Sequence, residues 1–431
     1  MEIINSIFNI ISTFDLQIQI MENHYDVVII GAGPSGSIAA AKLLKAGKKV
    51  LILEKTTFPR FVIGESLLPH IMDYLQELDL LKVIEEQNFQ IKDGVCFHHN
   101  MSNCPFTFNT QYTKDAWTYT WQVKRADFDN ALIKEVEKRG AEVIYNATVT
   151  SVDTSKKVQK IFFALDNEVA KTVTADFLID ASGYGRVLPR LKQLETPVDT
   201  PPRGAVFTHI RDKNRTEEAG KNIFVHVFRD NTAWFWSIPF SDSTTSVGIV
   251  SDSDYIEECA KNKGEGFLNL LAEFPGMEGR FSNPDSVFEP RTVMNYAVSV
   301  SKLHDDGYVL AGNATEFLDP TFSSGVLFAV VSGYKAAETA IRQLNGEIVD
   351  WDKDYAEPIK YGINVFRTYV HAWYDGRLAT IFFAKERNEE IMKQICSVLA
   401  GYVWDESNPF VKKHKTIVTS LAKVINITQE G

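Results

Sequence analysis

Three patterns predict an α/β fold in which a Rossmann-like domain is interleaved with an antiparallel-sheet domain and closed by C-terminal helices. Tyr25 to Ile30, Ser35 to Ala46 and Lys49 to Glu54 read as strand, helix and strand, with Gly47 ending the helix, a βαβ unit around the turn Gly31-Ala-Gly-Pro-Ser-Gly36. Residues 204 to 250 are rich in β-branched and aromatic residues with polar breaks, the pattern of a separate antiparallel sheet. From Val326 onward helical spacing dominates, and Ile359 to Ile427 shows no strand pattern, so it reads as a helical cap.

The remaining elements fit between these. Trp117 to Val123 alternates like a strand, Phe128 to Lys138 has helical spacing, and Glu142 to Asp180 holds several short strands ending in Ile179-Asp-Ala-Ser-Gly183. The expected organisation is a flexible extension at 1–20, a nucleotide-binding domain with inserted strands at 21–200 and a substrate domain built on the antiparallel sheet at 201–300. A return to the first domain at 301–345 and a helical region at 346–431 complete it. The extension is apolar but interrupted by Glu2 and Asp15; it lacks the basic start and cleavage site of a signal peptide and is too polar to cross a membrane.

With 431 residues and 45% apolar content the chain can bury a large core. The formal net charge of −11 argues against phosphate-neutralising nucleic-acid binding, and Lys412 to Lys415 reads as a solvated helix face. Cys96, Cys104, Cys259 and Cys396 have no metal or redox spacing, so no metal site is expected and structural thiols in a reducing cytoplasm are.

The glycine turn carries the first chemistry. Gly31, Gly33 and Gly36 permit the tight turn, the close approach of a pyrophosphate and helix–strand packing, while the amides at the helix start that follows, after Pro34 and from Ser35 onward, offer an anion site. Glu54, eighteen residues after Gly36, ends the second strand beside Lys55, where its carboxylate can accept from ribose hydroxyls. Arg60, beside the Gly64-Glu65-Ser66 turn, is placed to clamp a phosphate. No second glycine motif for a nicotinamide cofactor is evident.

From Tyr25 to about Ile381 the chain resembles the flavin-dependent halogenases and their aromatic-hydroxylase relatives, and is most similar to the phenol and pyrrole halogenases. The resemblance rests on Phe58-Pro-Arg60 with Gly64-Glu-Ser66, Gln122-Val-Lys-Arg125, Asp180-Ala-Ser-Gly183, Trp234-Phe-Trp-Ser-Ile-Pro239, and Phe317 with Pro320, Ser323 and Gly325. It implies that the first domain binds FAD, with Arg60, Gln122, Arg125, Asp180, Gly183, Asn313, Pro320 and Gly325 near it. It implies halide at the Ser324 and Gly325 amides and places Trp234, Trp236 and Phe322 by the substrate passage. Lys92, in Asn88-Phe-Gln-Ile-Lys-Asp-Gly94, matches the family's essential lysine. A desolvated lysine can hydrogen-bond hypohalous acid or form a haloamine.

Two departures stand out. The tryptophan-acting branch carries a glutamate where this chain has Phe322, which disfavours that substrate. The usual Gly-Asp-Ala flavin motif reads Gly312-Asn-Ala314, so Asn313 keeps the hydrogen bond without the charge.

The expected function is a two-component halogenase. A separate flavin reductase supplies reduced FAD, and dioxygen with chloride or bromide then halogenates a phenol, resorcinol or pyrrole, free or tethered to an acyl or peptidyl carrier protein. The rivals are an FAD-dependent aromatic monooxygenase or dehydrogenase of the same fold, and a flavin-binding partner that has lost catalysis.

Overall fold

The computed structural model describes residues 19–155, 157–165, 170–198, 200–217, 220–274 and 279–430. Of the expected extension, 1–18 lies outside the described residues, while Gln19 and Ile20 pair with Lys171 and Thr172.

Numbering the nineteen described strands in chain order, one sheet holds β1 (Gln19–Ile30), β2 (Val50–Leu53), β7 (Glu142–Ile144), β8 (Thr148–Asp153), β9 (Gln159–Ala164), β10 (Lys171–Asp180), β18 (His304–Asp305) and β19 (Tyr308–Leu310). Its parallel centre runs β19, β10, β1, β2, β7. Parallel strands covered on both faces read as continuous apolar runs, as Val27 to Ile30 and Val50 to Leu53 do, all buried. Register does the rest: Ile30 lies opposite both Asp180 and Leu53, and Asp180 lies opposite Leu310. Four distant segments, beginning at Gly31, Glu54, Ala181 and Ala311, therefore leave the sheet along one edge, where open α/β sheets bind ligands.

Helix α1 (Pro34–Lys45) follows β1 and is buried from Pro34 to Ala41. It packs on a later helix, Ser324–Leu344, so closely that a Cβ on Gly333 would meet the Ser35 carbonyl oxygen at 2.3 Å. Helix α2 (Arg125–Lys138) buries Phe128, Leu132, Ile133 and Val136, the 3.6-residue stripe of an amphipathic helix.

The second sheet runs β16 (Arg291–Met294), β12 (Arg203–Arg211), β15 (Thr244–Asp252), β14 (Ala233–Pro239), β13 (Ile223–Phe228), β4 (Gly94–His99) and β5 (Ser102–Thr107). It is antiparallel at every pairing except β13 with β4. Two of its strands thus come from well before residue 201, joined by long-range pairing that local periodicity does not reveal. Helix α3 (Ser253–Ala272), kinked at Lys261–Gly264, buries Ile256, Cys259, Phe267 and Leu271.

Two ribbons stand apart: β3 (Gln90–Lys92) with β6 (Thr120–Gln122), and β11 (Glu195–Thr196) with β17 (Ser299–Val300). The strand expected over Trp117 to Val123 shortens to β6 because Trp117 N–H donates to Tyr402 Oη, 2.9 Å away, instead of joining a ladder.

Helix α4 (Ser324–Leu344) leads into α5 (Glu357–Tyr374), α6 (Arg377–Phe382), α7 (Glu389–Leu399) and α8 (His414–Glu430). Trp373 and Phe382 of this cap meet Phe97 of β4 and join the main core, so the cap is packed into the sheets. Among the described residues no helix is long and apolar enough to cross a membrane.

Candidate active site

The turn after β1 is built for close approach. Gly31 has φ +96°, and a Cβ there would lie 2.6 Å from the Ala181 carbonyl oxygen; on Gly36 it would lie 2.0 Å from the Gly31 oxygen. Gly31 and Gly36 thus fit the backbone together, whereas a Cβ on Gly33 would lie 3.5 Å from the Arg60 guanidinium, and both residues line a cavity. Helix α1 starts after Gly33 with no side-chain cap and no acidic residue in its first turn, leaving its amides and dipole open to an anion. Glu54 is buried at the end of β2, its carboxylate accepting from Ala32 N–H at 2.8 Å, Thr56 N–H at 2.9 Å and Thr56 Oγ at 2.7 Å.

These groups open on a cavity of about 630 Å³ between the two sheets. Gly31, Gly33, Pro34, Ser35, Glu54 and Lys55 line one end. Arg60, Gly64, Glu65, Ser66 and Arg125 line a side, Gly183, Asn313, Pro320 and Gly325 another, and Trp234 with Trp236 the sheet wall. Gly36, Lys92, Gln122, Asp180, Phe322 and Ser324 are not on the wall. Asp180 accepts from Ser182 and Leu188 amides and shapes the loop before Gly183; burial raises its pKa. Phe322 packs against Phe97, Tyr369 and Trp373, and Ser324 is buried at the start of α4.

The cations are held by a residue that sequence reasoning missed. Asp129, with no exposed side-chain surface, accepts from Arg125 Nε at 2.8 Å, Arg125 Nη2 at 2.9 Å and Arg60 Nη1 at 3.0 Å. Two guanidinium groups share one carboxylate, leaving excess positive charge beside the cavity. The Arg125/Asp129 spacing of four on a helix was the available signal.

Ser323 opens α4 at φ +57° with no side-chain cap, and Gly325 faces the cavity beside Phe317. Just upstream, Asp319 is buried and accepts from Thr321 N–H, Tyr296 Oη at 3.0 Å and Tyr374 Oη at 2.9 Å; burial raises its pKa. Tyr374 in turn accepts from Trp234 Nε1 at 3.1 Å. This junction was also missed, because its members are far apart in the chain.

Lys92 is 2% exposed, and no carboxylate pairs with it among the described residues. Its Nζ donates to Ser66 Oγ and to the Leu67 carbonyl, both at 2.8 Å, and sits 5.4 Å from the Phe108 ring centre. Burial lowers its pKa to about 7. Ser66 lines the cavity, so the amine stands one hydroxyl behind the wall. The adjacent Glu65 has Oε1 2.6 Å from His209 Nε2, while its Oε2 has no partner.

The residues fit FAD. Two uncapped helix starts meet the cavity, and Ser35 Oγ and Glu65 Oε2 on its wall are buried without hydrogen-bond partners. With the buried acid Glu54 at the end of β2 and the paired arginines, this defines an FAD-dependent oxidoreductase. A family profile described as FAD binding domain matches residues 24–354. The 1H-pyrrole-2-carbonyl-(peptidyl-carrier protein) brominase of Pseudoalteromonas luteoviolacea is 29% identical, over 88% of this chain and 93% of its own. A solved flavoprotein/dehydrogenase from Cytophaga hutchinsonii is 45% identical with TM-score 0.92, over 94% of this chain and 100% of its own. The solved flavin-dependent brominase Bmp2 is 26% identical with TM-score 0.80, over 94% and 100%. The chain belongs to the FAD binding domain family, and along most of its length it is similar to flavin-dependent halogenases.

Proposed function

We propose that the protein halogenates an electron-rich ring, a phenol, resorcinol or pyrrole, using reduced FAD from a separate reductase, dioxygen, and chloride or bromide. The observation that carries this reading is Lys92: a buried amine with no counter-ion among the described residues, its pKa lowered to about 7, one hydroxyl from the cofactor cavity. A lysine kept out of water is costly and is the donor that delivery of an electrophilic halogen needs.

The redox chemistry with dioxygen and halide belongs to bound FAD. The chain's own residues position it. Gly31, Gly33, Pro34, Ser35, Glu54 and Lys55 hold the nucleotide end, Arg60 and Arg125 the phosphates, and Asn313, Pro320 and Gly325 the flavin end. The amides at Ser324 and Gly325, at the start of α4, hold halide. Trp234 and Trp236 exclude water and bulky substrate from the flavin side. The carrier-protein substrate in the brominase relative's name supports a tethered pyrrole, and the absence of disulfides among the four cysteines is compatible with a cytoplasmic setting.

The test incubates wild type and Lys92→Ala with a reductase, halide and a panel of free and carrier-bound phenols and pyrroles, with products read by mass spectrometry. Halide-dependent halogenated product from wild type and none from the variant is expected; equal product from both removes Lys92 from the chemistry. A second reading, a dehydrogenase or monooxygenase, draws support from the similar flavoprotein/dehydrogenase. Ring hydroxylation or substrate oxidation without halide dependence would favour it.

A further inference from the structure

Oxidising halide with dioxygen consumes protons. One halide, one dioxygen, one anionic reduced FAD and two protons give one hypohalous acid, one water and oxidised FAD; two electrons come from the cofactor and two from the halide. Those protons must reach a cavity walled by protein. Two carboxylates line it among the described residues, Glu54 and Glu65. Both oxygens of Glu54 hold donors, whereas Glu65 Oε2 is buried with no hydrogen-bond partner.

Glu65 is 2% exposed and is fixed from two sides. Val123 N–H donates to its carbonyl at 2.8 Å, and its Oε1 lies 2.6 Å from His209 Nε2. Alternate residues of a strand share a face. Ala205 and Phe207 of β12 line the cavity, and His209 is the next residue along that face, one step past the wall. It is buried between the rings of Phe61, Phe240 and Phe288, with ring centres 5.7, 5.1 and 5.0 Å away. Four cations stand around the pair. Arg125 reaches the Gly64 carbonyl while holding Asp129, Lys92 donates to Ser66, Lys124 pairs with Asp242 beside Phe240, and Arg291 lies over Phe61 and Phe288. Among the described residues only His209 forms an ion pair with Glu65.

We propose that Glu65 is a redox-linked proton carrier and that His209 sets its charge. With oxidised FAD bound, the pair is a carboxylate and an imidazolium. Reduction places a negative charge in the cavity, which raises the proton affinity of groups on its wall, and one proton adds at the free Oε2. When dioxygen and halide react, as in the function above, on which this step rests, that proton leaves Oε2 for the water formed. The other proton of the balance comes from solvent. His209 acts only through Glu65, as a positioning residue whose charge keeps the carboxyl ionised until reduction.

Infrared difference spectra and redox potentials of the FAD-loaded protein test this without turnover. On reduction, wild type gains a protonated-carboxyl band that Glu65→Gln lacks. The midpoint potential of bound FAD falls by about 30 mV per pH unit for each proton taken up with two electrons. Wild type takes up two protons, one on the ring and one at Glu65; Glu65→Gln and His209→Gln take up one. In His209→Gln the buried carboxyl, beside a neutral amide, is protonated in both redox states. Lys92, which titrates near 7, contributes equally in all three proteins. Absorbance of the reduced cofactor checks that its ring is anionic in each. Halogenation by Glu65→Gln falls roughly a hundredfold, the scale of a lost general acid.

If wild type gains no carboxyl band, or Glu65→Gln keeps the two-proton slope, the pair is a structural tie and the halogenase reading stands on its own product test. If the band is gained but wild type forms no halogenated product, the proton carrier stands and the halogenase reading falls. The proton then completes reduction of dioxygen, in which anionic reduced FAD, dioxygen and one proton give oxidised FAD and hydrogen peroxide.

Discussion

At the scale of single residues, Lys92 sets stability against function. The amine protonates near pH 10.5 in an unfolded chain and near 7 when buried. As pH falls between those values only the unfolded state takes up the proton, so the folded state loses stability across that window, in the end on the order of 4 kcal/mol. Lys92→Met removes this term but strips the donor from Ser66 Oγ and Leu67 O, an offset of roughly 1–3 kcal/mol. The variant should therefore be more stable than wild type by about 2 kcal/mol at pH 7, with the gap narrowing toward pH 9.5, while losing halogenation. Urea unfolding at the two pH values reads both signs, and a destabilised variant at pH 7 would mean that the amine is not held as a desolvated cation. Removing the buried acid Asp129 has the opposite effect on stability. Asp129→Ala leaves two guanidinium groups facing each other without their shared carboxylate, and should cost about 3–5 kcal/mol and weaken FAD binding in a fluorescence titration.

At the scale of elements, the sheet wall depends on one missing side chain. On β14 and β15 Trp236 lies opposite Gly248, and a Cβ on Gly248 would come 2.3 Å from the indole ring and 2.7 Å from Phe207 Cβ. The ring cannot slide away without leaving its hydrogen bond from Nε1 to Ser246 Oγ. Gly248→Ala should therefore destabilise the protein by about 1–3 kcal/mol and shift tryptophan emission, because the indole is driven into the cofactor cavity it lines. An unaltered emission spectrum with unaltered FAD affinity would show that the wall has room. The sequence pattern anticipated that Trp234 and Trp236 share a face, since that follows from the period of a strand, but not the glycine across from them, which depends on register.

At the scale of the whole molecule, what was readable in advance was local. The β1–turn–α1–β2 unit, its glycines and Glu54 occupy one continuous stretch, so periodicity and turn chemistry were enough. Pairing of β13 with β4, the Glu65–His209 contact and the Asp319 junction join segments more than a hundred residues apart or several elements at once, and no local pattern encodes them. The Asp319 junction ties the antiparallel sheet through Trp234, the cap through Tyr374, and the loop ahead of α4 through Asp319 itself. Tyr374→Phe unpairs Trp234 Nε1 and removes one donor from a buried carboxylate, a loss of about 1–3 kcal/mol. The loss should depend on pH. Burial raises the folded pKa of Asp319 above its value of 3.8 in the unfolded chain, so between those values the folded state binds the extra proton and stability falls as pH rises. Removing the Tyr374 hydroxyl, which favours the ionised form, raises that pKa further and widens the window. The destabilisation by Tyr374→Phe should thus be larger at pH 8 than at pH 4.5, and a cost independent of pH would mean that the hydroxyl serves Trp234 alone.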